Sequence, residues 1–245
     1  MMYSSLAKYY DKLGFNEFAK AFLLKALPFF KKYMQNHRVP KPYLKIIDLA
    51  CGTGELCRLL NKNGFKSCGL DISRDMLIIA RQKNPKLKFY NKDLRTFSLK
   101  PKFHIATCSF DSLNHIMKGD ELLATFKNVY RCLYKNGLFV FDMNTITGLR
   151  NWSIQFVNSR KDYLIIRNGG YDDGNHKAYM FIEAFVKSKG KCYNRLYDVF
   201  YQKGYPNSTV RRLLKKAGFL KITMSSFHQE KPVAQCGRIF VVAHK

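Results

Sequence analysis

The chain has 245 residues, 47% of them hydrophobic and 15% aromatic, which is enough apolar material for one large domain or a domain with a smaller companion. No stretch reaches the roughly 18 uninterrupted apolar residues of a membrane helix, and the N-terminal segment does not read as a signal peptide. The seven cysteines are scattered singly, with no CxxC pair and no histidine at metal-ligand spacing. We therefore expect a globular, cytoplasmic protein with reduced thiols and without a metal site.

The charge of the chain is strongly positive. Forty-three Lys and Arg against seventeen Asp and Glu give a formal net charge of +26, which draws polyanions at low salt and makes nucleic acid a candidate partner. The basic residues are nevertheless spread along the whole chain, without an Arg-Gly tract or a basic tail. This distribution favours a compositional bias with solvated basic faces over a dedicated nucleic-acid surface.

In chain order, residues 2–36 read as helical, with a kink or break at Pro28. From Tyr43 to about Asn144, short β-rich runs alternate with helical ones, which predicts βαβ units and a parallel sheet. The predicted strands are YLKIIDLA, FKSCGLD, LKFYN, FHIATCSF and LFVFDMN. The intervening helices are GELCRLLNKNG and GDELLATFKNVYRCLYKNG, each ending in Asn-Gly, and SRDMLIIARQKN, which opens at the N-cap Ser73.

The second half of the chain changes character. Residues 151–205 contain alternating runs separated by Gly, Asn and Asp, which predicts an antiparallel β insertion. The segment STVRRLLKKAGF then predicts a helix capped by Ser208, followed by LKITMSSFH and GRIFVVAHK as two closing strands.

The stretch IIDLACGTGELCRLL places a glycine loop between the first predicted strand and a helix, an arrangement that brings backbone N–H groups to a ligand. A triphosphate loop needs GxxxxGK[ST], and no lysine follows Gly54; a dinucleotide loop needs GxGxxG, and the third position is Cys57. Asp48 and Glu55 would repel a pyrophosphate but attract the sulfonium and ammonium groups of S-adenosylmethionine. The charges therefore favour S-adenosylmethionine.

A third acid supports this interpretation. The second strand ends in GLDIS, which places Asp71 seventeen positions after Gly54, close to the roughly 20 expected for a carboxylate that accepts both ribose hydroxyls. Met76 follows at a position suited either to an adenine face or to the core.

The series DLACGTGEL, GLDISRDML, NKDLRTF, FHIATCSFDSLNHI and LYKNGLFVFDMNT, over roughly residues 40–145, resembles the motif order of class I S-adenosylmethionine-dependent methyltransferases. With the N-terminal MYSSLAKYYDKLG and the β insertion, the whole chain is similar to small-molecule members of that family, including amino-sugar N-methyltransferases. The resemblance implies an α/β, Rossmann-like, seven-stranded sheet of order 3-2-1-4-5-7-6, whose last strand is antiparallel. Residues 1–150 and 206–245 would form the cofactor-binding domain, and residues 151–205 a β-rich cover over the substrate.

The resemblance also assigns cofactor contacts, position by position. The methionine half of the cofactor would be contacted by Asp48, Ala50, Gly52 and Gly54, and the ribose and adenine by Asp71, Ile72, Met76, Asp93 and the Leu94 backbone. Cys108 and Ser109 would lie under the cofactor near the transferable methyl, and Tyr10, with Tyr3, would close the pocket from the N-terminal segment.

Methyl transfer is an in-line displacement, and an amine acceptor must also lose a proton. The stretch FDSLNHI offers Asp111, Asn114 and His115 for that step, although His115 also suits a structural role and Asp111 a helix cap. Arg238, at the start of the last predicted strand, could pair with an anionic substrate or face water. No NPPY-like turn follows the fourth strand, which argues against transfer to adenine or glutamine amines.

The sequence therefore predicts a methyltransferase acting on nitrogen or oxygen of a small-molecule acceptor, as a monomer or homodimer. An RNA- or ribosome-directed methyltransferase and a non-catalytic S-adenosylmethionine-binding protein remain alternatives. The insertion is expected either to enclose the acceptor, with the side chains of YLIIRNGGY and AYMFIEAF facing it, or to serve for dimerisation.

Overall fold

The computed structural model describes residues 6–100, 102–190, 192–228 and 232–245. The strands are β1 (Lys45–Leu49), β2 (Lys66–Asp71), β3 (Lys88–Asn91), β4 (Phe103–Cys108), β5 (Leu133–Asn144), β6 (Gln155–Arg160), β7 (Tyr163–Asp172), β8 (Lys177–Lys187), β9 (Tyr193–Lys203), β10 (Ile222–Ser226) and β11 (Arg238–His244). The α-helices are α1 (Phe18–His37), α2 (Glu55–Lys62), α3 (Arg74–Lys83), α4 (Gly119–Cys132), α5 (Ile146–Arg150) and α6 (Asn207–Ala217). One-turn 3-10 helices lie at Ala7–Tyr9, Lys41–Tyr43 and Ser112–His115.

Within the described residues the strands form a seven-stranded sheet of order β10-β11-β5-β4-β1-β2-β3 and a four-stranded sheet of order β6-β7-β8-β9. Counted within the larger sheet, this is the expected order 3-2-1-4-5-7-6, and β11 runs antiparallel to both of its neighbours. The predicted fold class is therefore confirmed. No helix among the described residues is long and apolar enough to cross a membrane.

The larger sheet is covered on both faces, which explains why its central strands are mostly apolar. On one face α1 and α2 bury Phe22, Phe30 and Leu60 against the sheet, while on the other α4 and α6 bury Phe126 and Leu214.

The N-terminal prediction placed the start of the helix too early, and of the kink or break predicted at Pro28 the break does not occur. Helix α1 begins only at Phe18, because the chain turns through Gly14, which has a φ of +82°. The helix also continues through Pro28 without a break. Pro28 cannot donate to the carbonyl of Leu24, but that residue is 61% exposed, so water can satisfy the oxygen. The buried Phe22 and Phe30 hold the helix on the sheet across this point.

Two helix boundaries also differ from the prediction. Helix α4 ends at Cys132, five residues before Gly137, because Leu133 already pairs with Phe103 of β4 and is fully buried. Asn136 then has a φ of +67°, within a stretch where the register between β4 and β5 shifts. Helix α6 starts at Asn207 after Pro206, without a side-chain cap, so Ser208 lies inside the helix.

The predicted cap of α3 is confirmed, and so is the antiparallel character of the insertion. Ser73 Oγ accepts from the backbone N–H of Met76 at 3.3 Å. In the four-stranded sheet, one face buries Ile165 and Ile182 against the N-terminal segment, including Leu13.

The other face of this smaller sheet carries solvent-exposed aromatic side chains, among them Tyr179, Phe181, Tyr197 and Tyr201. The expected apolar and aromatic side chains of the insertion are therefore divided between an inner and an outer face.

Candidate active site

A cavity of about 320 Å³ opens where β1 and β2 end, beside the end of β4. Because β1 lies between β2 and β4, the chain order reverses here, and such switch points are the usual ligand sites of open α/β sheets. The structure brings most of the sequence-predicted residues together in its wall, namely Tyr10, Asp48, Ala50, Gly52, Asp71, Ile72, Met76, Asp93, Leu94, Ser109 and His115. Tyr3 lies outside the described residues.

The two glycines of the loop after β1 have different roles. Gly52 has a φ of +52°, and a Cβ placed on it would meet no atom within 4 Å, so its backbone faces open space in the cavity wall. Gly54, with a φ of +75°, does not line the cavity: a Cβ there would lie 3.1 Å from Ala80 and Phe89. Gly54 thus allows close packing against α3 and β3 and does not line the cavity.

Asp71 fastens this loop to the end of β2. Its Oδ2 accepts from the N–H of Gly52 at 2.7 Å, and its Oδ1 accepts from the N–H of Ser73 at 2.8 Å. Burial raises the pKa of Asp71, while these backbone hydrogen bonds oppose the shift. The carboxylate is thereby fixed in orientation at the cavity wall beside Ile72.

Asp48, at the end of β1, is 1% exposed. Burial raises its pKa to about 7; a hydrogen bond from Thr107 Oγ1, at 2.8 Å, opposes the shift, and the charge of Asp71 adds to it. Among the described residues no salt bridge reaches Asp48 or Asp71. A cationic ligand would therefore be stabilised here.

Glu55 also lines the cavity, but neighbouring basic residues reduce the attraction for a cationic ligand that the sequence analysis assigned to it. Its carboxylate accepts from Arg58 Nε at 2.9 Å and lies 3.3 Å from Lys83 Nζ, and Lys83 also forms a salt bridge with Asp11. Burial raises the pKa of Glu55, but Arg58 and Lys83 more than offset this and leave it below its usual value. Arg58 could have been predicted as a partner of Glu55 from its spacing in the helix, whereas Lys83 and Asp11 are too distant in sequence to be predicted.

Asp93 reaches the cavity with a partner of its own. Both carboxylate oxygens accept from the guanidinium of Arg95, the shortest contact being 2.6 Å, and these hydrogen bonds hold its pKa below the usual value. The Leu94 carbonyl accepts from Asn128 Nδ2 at 3.0 Å. An adenine amino group at Asp93 would therefore share the carboxylate with Arg95.

Of the three proposed proton acceptors, only His115 lines the cavity. Its Nδ1 lies 2.9 Å from the carbonyl oxygen of Tyr201 in β9. Because a carbonyl only accepts, neutral His115 carries its proton on Nδ1, and Nε2 is the basic nitrogen. Burial lowers the pKa of His115 despite the opposing charge of Asp111, which favours the neutral form of the ring.

Asn114 and Asp111 do not line the cavity. Asn114 is fully buried, accepts from the N–H of Asn144 at 2.9 Å and donates to the carbonyls of Asn144 and Lys203. Asp111 does not cap the following turn with its side chain; it accepts from Arg238 at 2.7 Å. These contacts give both residues structural roles.

The expectations for Arg238 and Cys108 also change. Arg238 is buried in salt bridges with Asp111 and Asp142, so it neither faces water nor stands open to a substrate. Cys108 is fully buried in β4, and Ser109 is the residue that reaches the cavity.

Sequence reasoning missed the aromatic part of the wall, formed by Phe15, Phe18 and Phe110. The aromatic-rich N-terminal segment was the available signal.

The wall suits a cationic nucleoside. Buried acids at the ends of β1 and β2 favour positive charge, Ile72 and Met76 offer an apolar contact for a base, and Gly52 leaves room for close approach. These residues therefore fit the cofactor that the sequence motifs imply.

Comparison with known proteins agrees with this chemistry. A family model described as a methyltransferase domain matches residues 46–137. The putative methyltransferase YqeM of Bacillus subtilis is 28% identical over 208 residues, covering 82% of this chain and 84% of that protein. The dTDP-3-amino-3,6-dideoxy-alpha-D-glucopyranose N,N-dimethyltransferase of Streptomyces fradiae is 36% identical over 97 residues, covering 40% of this chain and 38% of that protein.

Among solved structures, an S-adenosylmethionine-dependent methyltransferase from Clostridium acetobutylicum superposes with a TM-score of 0.79 at 24% identity, covering 99% of this chain and 98% of that one. That likeness shows the fold. Residues 46–137 are therefore a methyltransferase domain, and together with the buried acids of the cavity these findings support a class I S-adenosylmethionine-dependent methyltransferase, similar to amino-sugar N-methyltransferases, with S-adenosylmethionine as its cofactor.

Proposed function

We propose that the enzyme methylates a nitrogen or oxygen atom of a small molecule held between the cofactor and the sheet β6–β9. The observation that carries this proposal is the contact between His115 Nδ1 and the Tyr201 carbonyl, because it fixes the imidazole of a residue in the cavity wall to a strand of the insertion. Residues 151–205 would then cover the acceptor, and residues 1–150 and 206–245 would form the cofactor-binding domain.

Bound S-adenosylmethionine supplies an electrophilic methyl group on a sulfonium. Asp48 would face the cationic methionine half, while the fixed carboxylate of Asp71 would accept from the ribose hydroxyls. Ile72 and Met76 would pack beside the adenine. Tyr10 of the N-terminal segment would close this end of the cavity. The protein thus contributes mainly by binding, orientation and exclusion of water.

His115 is the residue that we assign to the proton of the acceptor. With its proton held on Nδ1, the neutral imidazole has Nε2 as its basic nitrogen, and the lowered pKa of His115 favours this neutral form. Phe15, Phe18 and Phe110 would give the acceptor an apolar surround. The relative from Streptomyces fradiae is named for methylation of an amino sugar, which makes an amine of a sugar-like molecule a reasonable first acceptor.

The test uses S-adenosylmethionine labelled in its methyl group, a metabolite extract and total RNA in parallel incubations. We expect label in a low-mass product that can be identified by mass. His115→Gln should retain cofactor binding by calorimetry but lower product formation on the order of 100-fold, the low end of the range for a general base. Asp75→Asn, outside the cavity wall, is the matched control.

Two outcomes would contradict the proposal. Label in RNA, with an affinity that falls steeply with salt, would favour an RNA-directed enzyme, for which the net charge of +26 is the supporting observation. Tight cofactor binding without a labelled product in either fraction would favour a non-catalytic protein.

A further inference from the structure

The turn after β4 has an unusual backbone. Phe110 and Asp111 are consecutive residues with φ values of +61° and +49°, a left-handed conformation that residues with a Cβ rarely adopt. Neighbours on both sides of this turn line the cavity: Ser109 precedes it, and Ser112 and His115 follow it. The strained turn therefore determines how part of the cavity wall is placed.

Asp142 in the adjacent strand β5 holds this turn directly. Its Oδ1 accepts from the N–H of Phe110 at 2.7 Å, and its Oδ2 accepts from the N–H of Asp111 at 3.0 Å. Asp142 is fully buried, so these two hydrogen bonds do not compete with water. One carboxylate thus fixes both strained peptide units.

Arg238 in β11 connects this carboxylate to the next layer. Its guanidinium donates to Asp142 Oδ2 at 2.5 Å and to Asp111 Oδ1 at 2.7 Å. The same group lies over the rings of Phe18, at 4.7 Å, and Phe110, at 5.7 Å, and both rings line the cavity. Arg238 therefore joins the strained turn to the aromatic wall, although it does not line the cavity itself.

The insertion contributes the last contact of this cluster. The side-chain amide of Gln202 in β9 donates to Asp111 Oδ2, and its oxygen accepts from Asn144 Nδ2 at 2.9 Å. Strands β5, β9 and β11 thus all hold the turn, and β9 is also the strand whose Tyr201 carbonyl binds His115.

We propose that Arg238 and Asp142 are positioning residues for methyl transfer: with Asp111 they hold the Phe110 turn left-handed and so set where His115 and the aromatic wall meet the acceptor. The planar guanidinium is needed because two of its nitrogens bind separate carboxylates while its face stacks on Phe18. A lysine would keep the charge but could not do both.

The experiment compares Arg238→Lys and Asp142→Asn with wild type by imidazole ¹H–¹⁵N spectroscopy, with and without S-adenosylmethionine. The chain has six histidines, and the His115→Gln spectrum assigns the resonance of interest. We expect the His115 signals to shift or broaden in both variants. Turnover at saturating cofactor should fall on the order of 100-fold, as for a small displacement of a catalytic group.

Phe219→Leu is the matched control, because Phe219 is buried in the core against Tyr130 and Phe139 and does not line the cavity. It should lower the melting temperature while leaving the His115 signals unchanged.

The proposal is overturned if Arg238→Lys lowers the melting temperature as much as Phe219→Leu does but leaves the His115 signals unshifted. Arg238 would then have a stabilising role only. Weakened acceptor binding with unshifted signals would equally overturn it, because Arg238 would then contact the substrate itself. The spectra need no acceptor, so the result does not depend on which molecule is methylated.

Discussion

Asp71→Asn is the sharpest test of the cofactor site, because the change keeps the size of the side chain and removes one acceptor. The two carboxylate oxygens of Asp71 accept from separate N–H groups, of Gly52 at 2.7 Å and of Ser73 at 2.8 Å. An amide has only one oxygen, so one of these N–H groups must face an NH₂ group instead. A buried donor left without an acceptor costs about 1–3 kcal/mol.

The unpaired donor destabilises the loop that forms the cavity wall, and the asparagine also lacks the negatively charged carboxylate that would accept from the ribose hydroxyls. We therefore expect the dissociation constant of S-adenosylmethionine to rise about 10- to 100-fold, which corresponds to about 1.4–2.8 kcal/mol. Calorimetric titration at pH 7.5 measures this value, and urea unfolding measures the stability of the same samples.

Asp75→Asn provides the control, since it removes the same charge four positions further along the chain and outside the cavity wall. It should leave the dissociation constant within about twofold. If Asp71→Asn binds S-adenosylmethionine as tightly as wild type while fully folded, the assignment of Asp71 to the ribose is wrong.

Three further predictions concern other parts of the site. Because burial raises the pKa of Asp48 to about 7, above its unfolded value, the unliganded protein should lose stability as pH rises from about 4 to 7. Affinity for S-adenosylmethionine should rise over the upper part of that window, because the cation favours the ionised carboxylate. Asp48→Asn should flatten this pH dependence in calorimetry. A pH profile of affinity in Asp48→Asn that runs parallel to that of wild type would contradict the prediction. Lys83→Met should lower the free energy of unfolding by about 1 kcal/mol or less, since its ion pairs are partly exposed, and a difference that persists unchanged in 1 M NaCl would argue against an ionic origin. Gly69→Ala should cost about 1–3 kcal/mol in urea unfolding, because the new Cβ would lie 2.5 Å from Cys51 Sγ, whereas Gly119→Ala, with no atom within 4 Å, should be nearly neutral; equal effects would refute the packing argument.

Local patterns carried most of the fold and the cofactor chemistry. The alternation of β-rich and helical runs predicted the strands from β1 to β5, and the resemblance to class I S-adenosylmethionine-dependent methyltransferases implied how they are arranged. Asp48 and Asp71 were recognised because a short loop at a strand end leaves its acid little choice of location. Such features depend on residues close in sequence, so the sequence alone determined them.

Where the sequence failed, contacts between distant residues decided the outcome. Helix α4 stops at Cys132 because Leu133 pairs with Phe103 across the sheet, a competition that local propensity does not record. The charge of Glu55 is cancelled in part by Lys83, 28 positions away in the printed sequence.

The catalytic candidates separate for the same reason. Asp111, Asn114 and His115 are equivalent by position and polarity, yet only His115 lines the cavity, since Arg238 holds Asp111 and the end of β5 holds Asn114. The sequence by itself indicated the fold class and the cofactor, because the alternation of runs, the acids of the glycine loop and the family resemblance of the motifs are all read from residues close in sequence. Only the tertiary structure decided which of these polar groups line the cavity, because Asp111 and Asn114 are buried against partners that the chain brings from far away in sequence.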